Sequence, residues 1–367
     1  MAGTTTQAPP GMTLDPKYDN YDYPVVVPDP RSGHPGNLSE QQIAQVHQLR
    51  MQLESEGCTK RLDTLTLLRF LRARKFDVNL AKQMFVNAEK WRAELTFADG
   101  KTPITPYGQK INLDEELPNW DKDRSLRTKV APYYPQYYHK TDKDGRPVYI
   151  EQLGKVDRKK LESMGVKGDH MLTNLAVEYE RMADPRLPAC SRKAGYLLET
   201  SCTILDLKGV GLFQANAVKD LVRETSKMSQ DYYPERMGRM YMINAGRFIS
   251  ALFAWAKSFL DPVTQEKIHV ISGDGKAELL AQIPAENLPK EFGGSCDCPG
   301  GCALSDAGPW QDPQWARPAW YEKEGDGANA IQNPGTDAVG TGEGTAAAGQ
   351  TTAEAGEEAK APAPAAA

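Results

Sequence analysis

The chain has 367 residues, room for one large domain with extensions or for two domains. Its formal net charge of −5 is unevenly placed: residues 322–367 carry −6, leaving +1 on everything before them. That balance is too neutral for a dedicated nucleic-acid binder, although it permits local basic patches facing an anionic membrane. The opening MAGTTTQAPPGM lacks the basic and apolar runs of a secretory signal, and no run of about 18 apolar residues offers a membrane span. Ala2 follows Met1, so N-myristoylation is not expected. Six scattered cysteines without a signal point to reduced thiols in the cytoplasm.

Residues 1–37, rich in Pro, Gly, Thr and Asp, are expected to be mostly disordered, with Tyr18, Tyr21, Tyr23 and Val25–Val27 available to pack onto the body. A helical module is expected over 38–125. Ser39 and Gln42 fit a capping box ahead of Ile43, Val46, Leu49 and Leu53, and Gly57 stops that helix. A second helix starts near Asp63 with the inner stripe Leu65, Leu68 and Leu71. A third follows Asp77 with Leu80, Met84, Ala88 and Trp91 facing inward. The basic string RFLRARKFD, with Arg69, Arg72, Arg74 and Lys75, has two readings: a solvated outer helix face, or guanidiniums that receive phosphate.

Beyond a Pro-interrupted stretch, Asp144-Gly145 marks a turn between a Tyr-rich run and a strand at Val148–Leu153. A helix is expected at 168–183, then a long strand at about Tyr196–Leu207. On that strand Leu197, Glu199, Ser201, Thr203, Leu205 and Leu207 share a face. The hydroxyls of Ser201 and Thr203 then need either backbone partners or a bound polar headgroup. A helix at about 212–229 leads to strands at Met240–Ile243 and Ile268–Ile271. Between those strands, Phe248–Leu260 is apolar on nearly every side, through Phe248, Ile249, Leu252, Phe253, Trp255, Phe259 and Leu260. It rises only ~20 Å, too short for a bilayer. It is either a core crossover helix ended by Asp261-Pro262 or a movable apolar wall over a lipid pocket. Alternating strands and helices with parallel pairings indicate an α/β fold built on a mixed, partly parallel sheet. A short helix at Ala277–Ile283 completes the body, residues 305–321 are expected to pack on it, and 322–367 reads as a disordered acidic tail.

Catalytic signatures are absent. The sequence has no GxGxxG after a strand, no phosphate loop, no GxSxG elbow and no HExxH, so an enzyme is not expected. CDCPGGC places Cys296, Cys298 and Cys302 within seven residues, but structural zinc takes four ligands and none but Asp297 stands nearby in sequence. A loop with free or redox-active thiols is therefore expected, with no metal and no cofactor.

Seven blocks in order, LLRFLRARKFD, YPQYYHKTDKDGRPVY, RLPACSR, ETSCTILDLKG, YYPERMG, FLDPVT and IPAENLPKEFGG, resemble the CRAL-TRIO lipid-binding family over about Asn37 to Trp310. The resemblance implies a helical module beside a lipid-binding domain at 126–304 whose sheet and crossover helices enclose one phospholipid. It implies a phosphatidylinositol site at Arg74, Lys75, Glu235, Thr264 and Lys267. A phosphatidylcholine site would use Tyr138, Tyr149, Tyr179, Ser201 and Thr203, and Phe248–Leu260 would be the gate helix. It further implies a cytoplasmic monomer, transiently peripheral at Golgi or endosomal membranes. Such a protein would exchange the two lipids, support secretory traffic and phosphoinositide synthesis, and couple to phosphatidylinositol kinases. A carrier of a sterol or tocopherol-like ligand is the alternative within the fold, although it would leave Arg74, Lys75, Glu235 and Lys267 unpaired. A membrane-recruited scaffold working through the tail is a second. Gly246-Arg247 departs from the Pro-Phe that the family places after Asn-Ala.

Overall fold

A computed structural model describes residues 12–97, 100–104, 110–210, 224–247, 253 and 262–322. The helical module follows its local signals. Ser39 caps α1 (Glu40–Ser55): its hydroxyl accepts the Gln42 N–H at 3.2 Å while Gln42 Oε1 accepts the Ser39 N–H at 3.0 Å. Asp63 caps α2 (Thr64–Ala73) and Asp77 caps α3 (Val78–Glu94), each accepting an N–H three residues on at 3.0 Å. Val46, Leu49, Leu53, Leu67, Leu68, Leu71, Ala81, Met84, Phe85 and Ala88 form one core. Leu80 is not part of it. It is 55% exposed, because α3 turns the Val78–Ala81–Phe85–Ala88 side inward and leaves Leu80 outside it.

The sheet runs in the order β1-β2-β3-β4-β5. Strands β1 (Gln136–Thr141) and β2 (Pro147–Gln152) form the antiparallel hairpin expected at Asp144-Gly145, with Asp142 Oδ1 accepting the Asp144 and Arg146 N–H groups. Helices α4 (Gly168–Arg181) and α5 (Leu187–Ala194) cross to β3 (Ser201–Asp206). β4 (Met237–Ile243) and β5 (Ile268–Val270) follow, all parallel to β2. β3 is shorter than the apolar run before it. The Leu197 N–H is taken by Val26 O at 2.9 Å, and the Glu199 side chain is drawn to α2, so the residues before Ser201 leave the ladder. A helix that the sequence reading did not contain, α6 (Pro262–Lys267), precedes β5 directly. Pro262 opens it, where a missing N–H costs nothing. Of the helix expected at 212–229, residues 212–223 lie outside the described residues and 224–232 are helical.

Pairing register sorts the sheet's side chains. One face carries Tyr137, Ile150, Ile204 and Tyr241 in one row, and it is closed by α7 (Lys276–Gln282) with Leu288 and Phe292. The opposite face carries two further rows: Tyr138–Tyr149–Thr203–Met240–Ile268 and Gln136–Glu151–Leu205–Met242–Val270. Past Tyr149 these rows are only half-buried.

Residues 12–37, expected to be mostly disordered, contain no helix or strand but are tied to the body. Asp19 accepts the Thr64 N–H at 2.7 Å, Tyr21 donates to Asp63 at 2.9 Å, and Tyr18 and Val25 are buried. At the other end, α8 (Cys302–Ser305) leads to the buried Asp306 and Trp310. The expected tail lies outside the described residues from 323 on.

Candidate functional site: the half-buried sheet face

The aromatic residues of the choline-lipid set come together. Tyr138 and Tyr149 face each other across the β1–β2 hairpin with ring centroids 5.1 Å apart, and Tyr179 from α4 packs against their cluster. Tyr179 stacks on Tyr233 at 4.5 Å and shares a short hydrogen bond with Ser229 Oγ. Burial pushes all three phenols above their ordinary range, so they remain neutral donors. The three rings form one aromatic cluster, in which Tyr233 covers a face of Tyr179 and the Arg186 guanidinium lies over Tyr138, so the cluster already holds one cation against a ring.

Thr203 sits beside Tyr149 in the same row, and its hydroxyl has no hydrogen-bond partner among the described residues. Ser201 differs. Its hydroxyl reaches the Arg236 carbonyl at 3.5 Å, an oxygen already accepting the Ser201 N–H at 3.0 Å. Of the two hydroxyls that the sequence brings to one strand face, the backbone satisfies Ser201, at the limit of bonding distance, and leaves Thr203 over. Glu151, next along β2, accepts from Tyr134, Gln136 and Tyr149, and burial still raises its carboxyl above the usual range.

The inositol-lipid set is distributed. Arg74 caps the C-terminus of α2, its guanidinium donating to Ala73 O at 3.0 Å, and Lys75 follows it exposed and in the left-handed region. Glu235 is also left-handed, at the turn into β4, and Lys267 ends α6. Among the described residues none of these four forms an ion pair, either with each other or elsewhere. Thr264 lies within α6, but its side chain is outside the described residues, as is the expected gate helix except for Phe253, which is helical.

Arg69 and Arg72 fit neither reading of the basic string. They are largely withdrawn from solvent and grip Glu199, Arg69 at 3.3 Å and Arg72 at 2.9 Å, while Arg236 donates to the Glu199 carbonyl at 3.1 Å. Burial first, and then Arg69, lower Arg236 to about 9. The string thus divides: its first half locks the helical module to the sheet, and its end stays available.

The sequence pattern of the CRAL/TRIO domain matches residues 131–294, and that of the CRAL/TRIO N-terminal domain matches residues 42–87. The Sec14 cytosolic factor of Schizosaccharomyces pombe is 50% identical over 293 residues, 80% of this chain and 96% of its own length. The chain belongs to the CRAL/TRIO family. The SEC14 cytosolic factor of Candida glabrata is 52% identical over 289 residues, 78% of this chain and 89% of that one. A phosphatidylinositol/phosphatidylcholine transfer protein of Arabidopsis thaliana, SFH12, is 41% identical over 68% of this chain and 43% of its own.

Within this CRAL/TRIO chain, local pattern marks neither Arg186, at the tyrosine cluster, nor the partner of His139, at the sheet edge. Arg186 stands over the Tyr138 ring at 4.6 Å and over Trp310 at 5.7 Å, pairing with Glu178 at 3.0 Å and Asp306 at 3.3 Å. No periodic signal marks it, since its partners come from three separated segments. His139, on β1, lies beside Cys296. Among the described residues, no helix is long and apolar enough to cross a membrane.

Proposed function

We propose that this chain is a cytoplasmic phosphatidylinositol/phosphatidylcholine transfer protein, not an enzyme. It takes one phospholipid at a time onto the half-buried sheet face. The observation that carries this reading is the row Tyr138–Tyr149–Thr203–Met240–Ile268, aromatic and hydroxylic at one end and aliphatic at the other. Such a row matches a headgroup followed by acyl chain. The names of the relatives support the same ligands. Acyl chains in water cost about 0.8 kcal/mol per CH₂, so transfer between bilayer and apolar face is cheap while the crossing through water must be shielded.

Choice between lipids then falls to the polar groups. Arg74, Lys75, Glu235, Thr264 and Lys267 take the inositol phosphate, and Tyr138, Tyr149, Tyr179, Ser201 and Thr203 take choline phosphate. One lipid enters as the other leaves, at Golgi or endosomal membranes, where a monomeric carrier supplies phosphatidylinositol kinases and supports secretory traffic.

The test is transfer of each lipid between vesicles. Arg74→Ala/Lys75→Ala should lose inositol-lipid transfer alone, and Ser201→Ala/Thr203→Ala should lose choline-lipid transfer alone. A wild type that moves neither lipid ends the proposal. Release of bound lipid to acceptor vesicles lacking both lipids, at the rate seen with them, ends its exchange step.

A further inference from the structure

Three cysteine thiols and one imidazole converge at the edge of the sheet, away from the tyrosine cluster. The donor atoms of His139, Cys296, Cys298 and Cys302 all lie within 4.8 Å of one another. His139 Nε2 is 3.3 Å from Cys296 Sγ, and Cys296 Sγ is 3.7 Å from Cys298 Sγ. In a tetrahedral zinc site, with Zn–S about 2.3 Å and Zn–N about 2.0 Å, neighbouring ligand atoms stand ~3.5–3.8 Å apart. The Cys296–Cys298 edge has that length, the His139–Cys296 edge is slightly shorter, and all the others lie within 4.8 Å, so small side-chain adjustments close the tetrahedron.

The backbone holds the thiols in place. Cys296 forms a two-bond bridge with the segment before it, its N–H donating to Leu288 O and its carbonyl accepting the Lys290 N–H, both at 3.1 Å. The Gly301 N–H closes a turn on Cys298 O at 2.8 Å. Gly300 and Gly301 take left-handed φ of 76° and 92°, which glycine alone adopts freely. That turn brings Cys302 back towards Cys296. The imidazole is oriented as well. Ser305 Oγ lies 2.9 Å from Cys302 O and 3.2 Å from His139 Nδ1, so a hydroxyl that donates to the carbonyl can accept from the imidazole. With the ring proton on Nδ1 towards Ser305, the Nε2 lone pair faces the Cys296 thiol, the arrangement by which an outer partner fixes a metal-binding tautomer.

We propose that His139, Cys296, Cys298 and Cys302 bind one Zn²⁺ as a closed structural site. Three thiolates and an imidazole favour a soft or borderline cation over magnesium or calcium, and with four protein ligands no position is left for water or substrate. The ion joins the edge strand β1 to the segment carrying Asp306 and Trp310. Through Arg186 that segment borders Tyr138, so the clip fixes one wall of the tyrosine cluster. The competing state is a Cys296–Cys298 disulfide, which would draw the sulfurs to about 2.05 Å and remove two of the four ligands.

The test uses the full chain, reduced with a phosphine and loaded with ZnCl₂ or CoCl₂. One zinc per chain should survive desalting. The cobalt form should show thiolate charge-transfer absorption and the intense visible bands of a tetrahedral site, a readout that needs no variant. Cys298→Ser, at a half-exposed position, should keep the far-ultraviolet circular dichroism spectrum and lose the retained zinc. Ser305→Ala should weaken zinc by roughly 10-fold, the usual effect of deleting an outer partner. Reduced wild type that holds no stoichiometric zinc overturns the proposal. So does an octahedral cobalt spectrum, or zinc retained unchanged in Cys298→Ser. Each of these readouts is independent of lipid transfer.

Discussion

Arg72 Nη2 donates to Glu199 Oε2 at 2.9 Å and ties α2 to the approach of β3, across 127 residues of sequence. Glu199 also serves Arg69, and Arg236 lies close by, so one carboxylate offsets a group of largely desolvated cations. Burial alone would raise this carboxyl, but Arg72 and then Arg69 hold it below its ordinary range. Replacing Glu199 by Gln leaves those guanidiniums uncompensated. The expected loss is about 3–5 kcal/mol, read as a lowered urea midpoint with unchanged slope. An unchanged midpoint would show that the cations are solvated.

Glu178 gives stability an acid limb. It pairs with Arg186 at 3.0 Å and Arg181 at 3.1 Å. Burial raises its carboxyl, but the arginines, Arg186 foremost, prevail and bring it down to about 2 from 4.5. A carboxyl depressed on folding contributes fully above its unfolded value and loses that contribution as pH falls towards its folded one. The contribution is on the order of 3 kcal/mol. In urea unfolding, wild type should exceed Glu178→Gln by most at pH 5, and the gap should narrow steadily towards pH 3. A gap independent of pH over that range would assign the loss to packing.

Thr203 separates fold from ligand. Its hydroxyl has no protein partner among the described residues and it sits between Tyr149 and Met240 in a largely apolar row. Thr203→Val keeps the shape and removes only the hydroxyl. Stability should stay within about 0.5 kcal/mol of wild type. Choline-lipid transfer should fall by roughly 10-fold, with inositol-lipid transfer retained, for the loss of a hydrogen bond worth about 1.5 kcal/mol. A large stability loss would mean that the hydroxyl serves the fold.

The contrast between Ser39 and Glu199 shows what the sequence made legible. The Ser39–Gln42 capping box, the Asp63 and Asp77 caps and the turn at Asp144-Gly145 are made within a few residues, so spacing alone identifies them. The parallel pairings followed from the alternation of strands and helices, whereas the strand order was not read and the tyrosine set came from the family resemblance. Glu199 and Cys296 are different. Their partners, Arg69 and His139, stand 130 and 157 residues away, and local pattern carries no trace of them. Leu80 failed for a third reason: a helix's apolar stripe is broad, and only the packed neighbour decides which edge is covered.

The N-terminal strap gives the last prediction. Composition reads residues 1–37 as loose, yet Asp19 accepts from the Thr64 N–H at 2.7 Å and from Thr64 Oγ1 at 2.8 Å, beside the buried Arg50, whose Nη2 is 3.9 Å away. Tyr18 lies under the Arg50 guanidinium at 4.3 Å and donates to Glu54. Removing residues 1–37 strips the first turn of α2 of two acceptors and Arg50 of its carboxylate. It should cost at least the ~2 kcal/mol of a broken buried network, lowering the melting temperature by several degrees. Asp19→Ala should reproduce most of that loss alone, because the carboxylate rather than the length of chain holds the contact. If the truncated chain melts with wild type, the strap contributes nothing to the fold and its contacts are incidental to it.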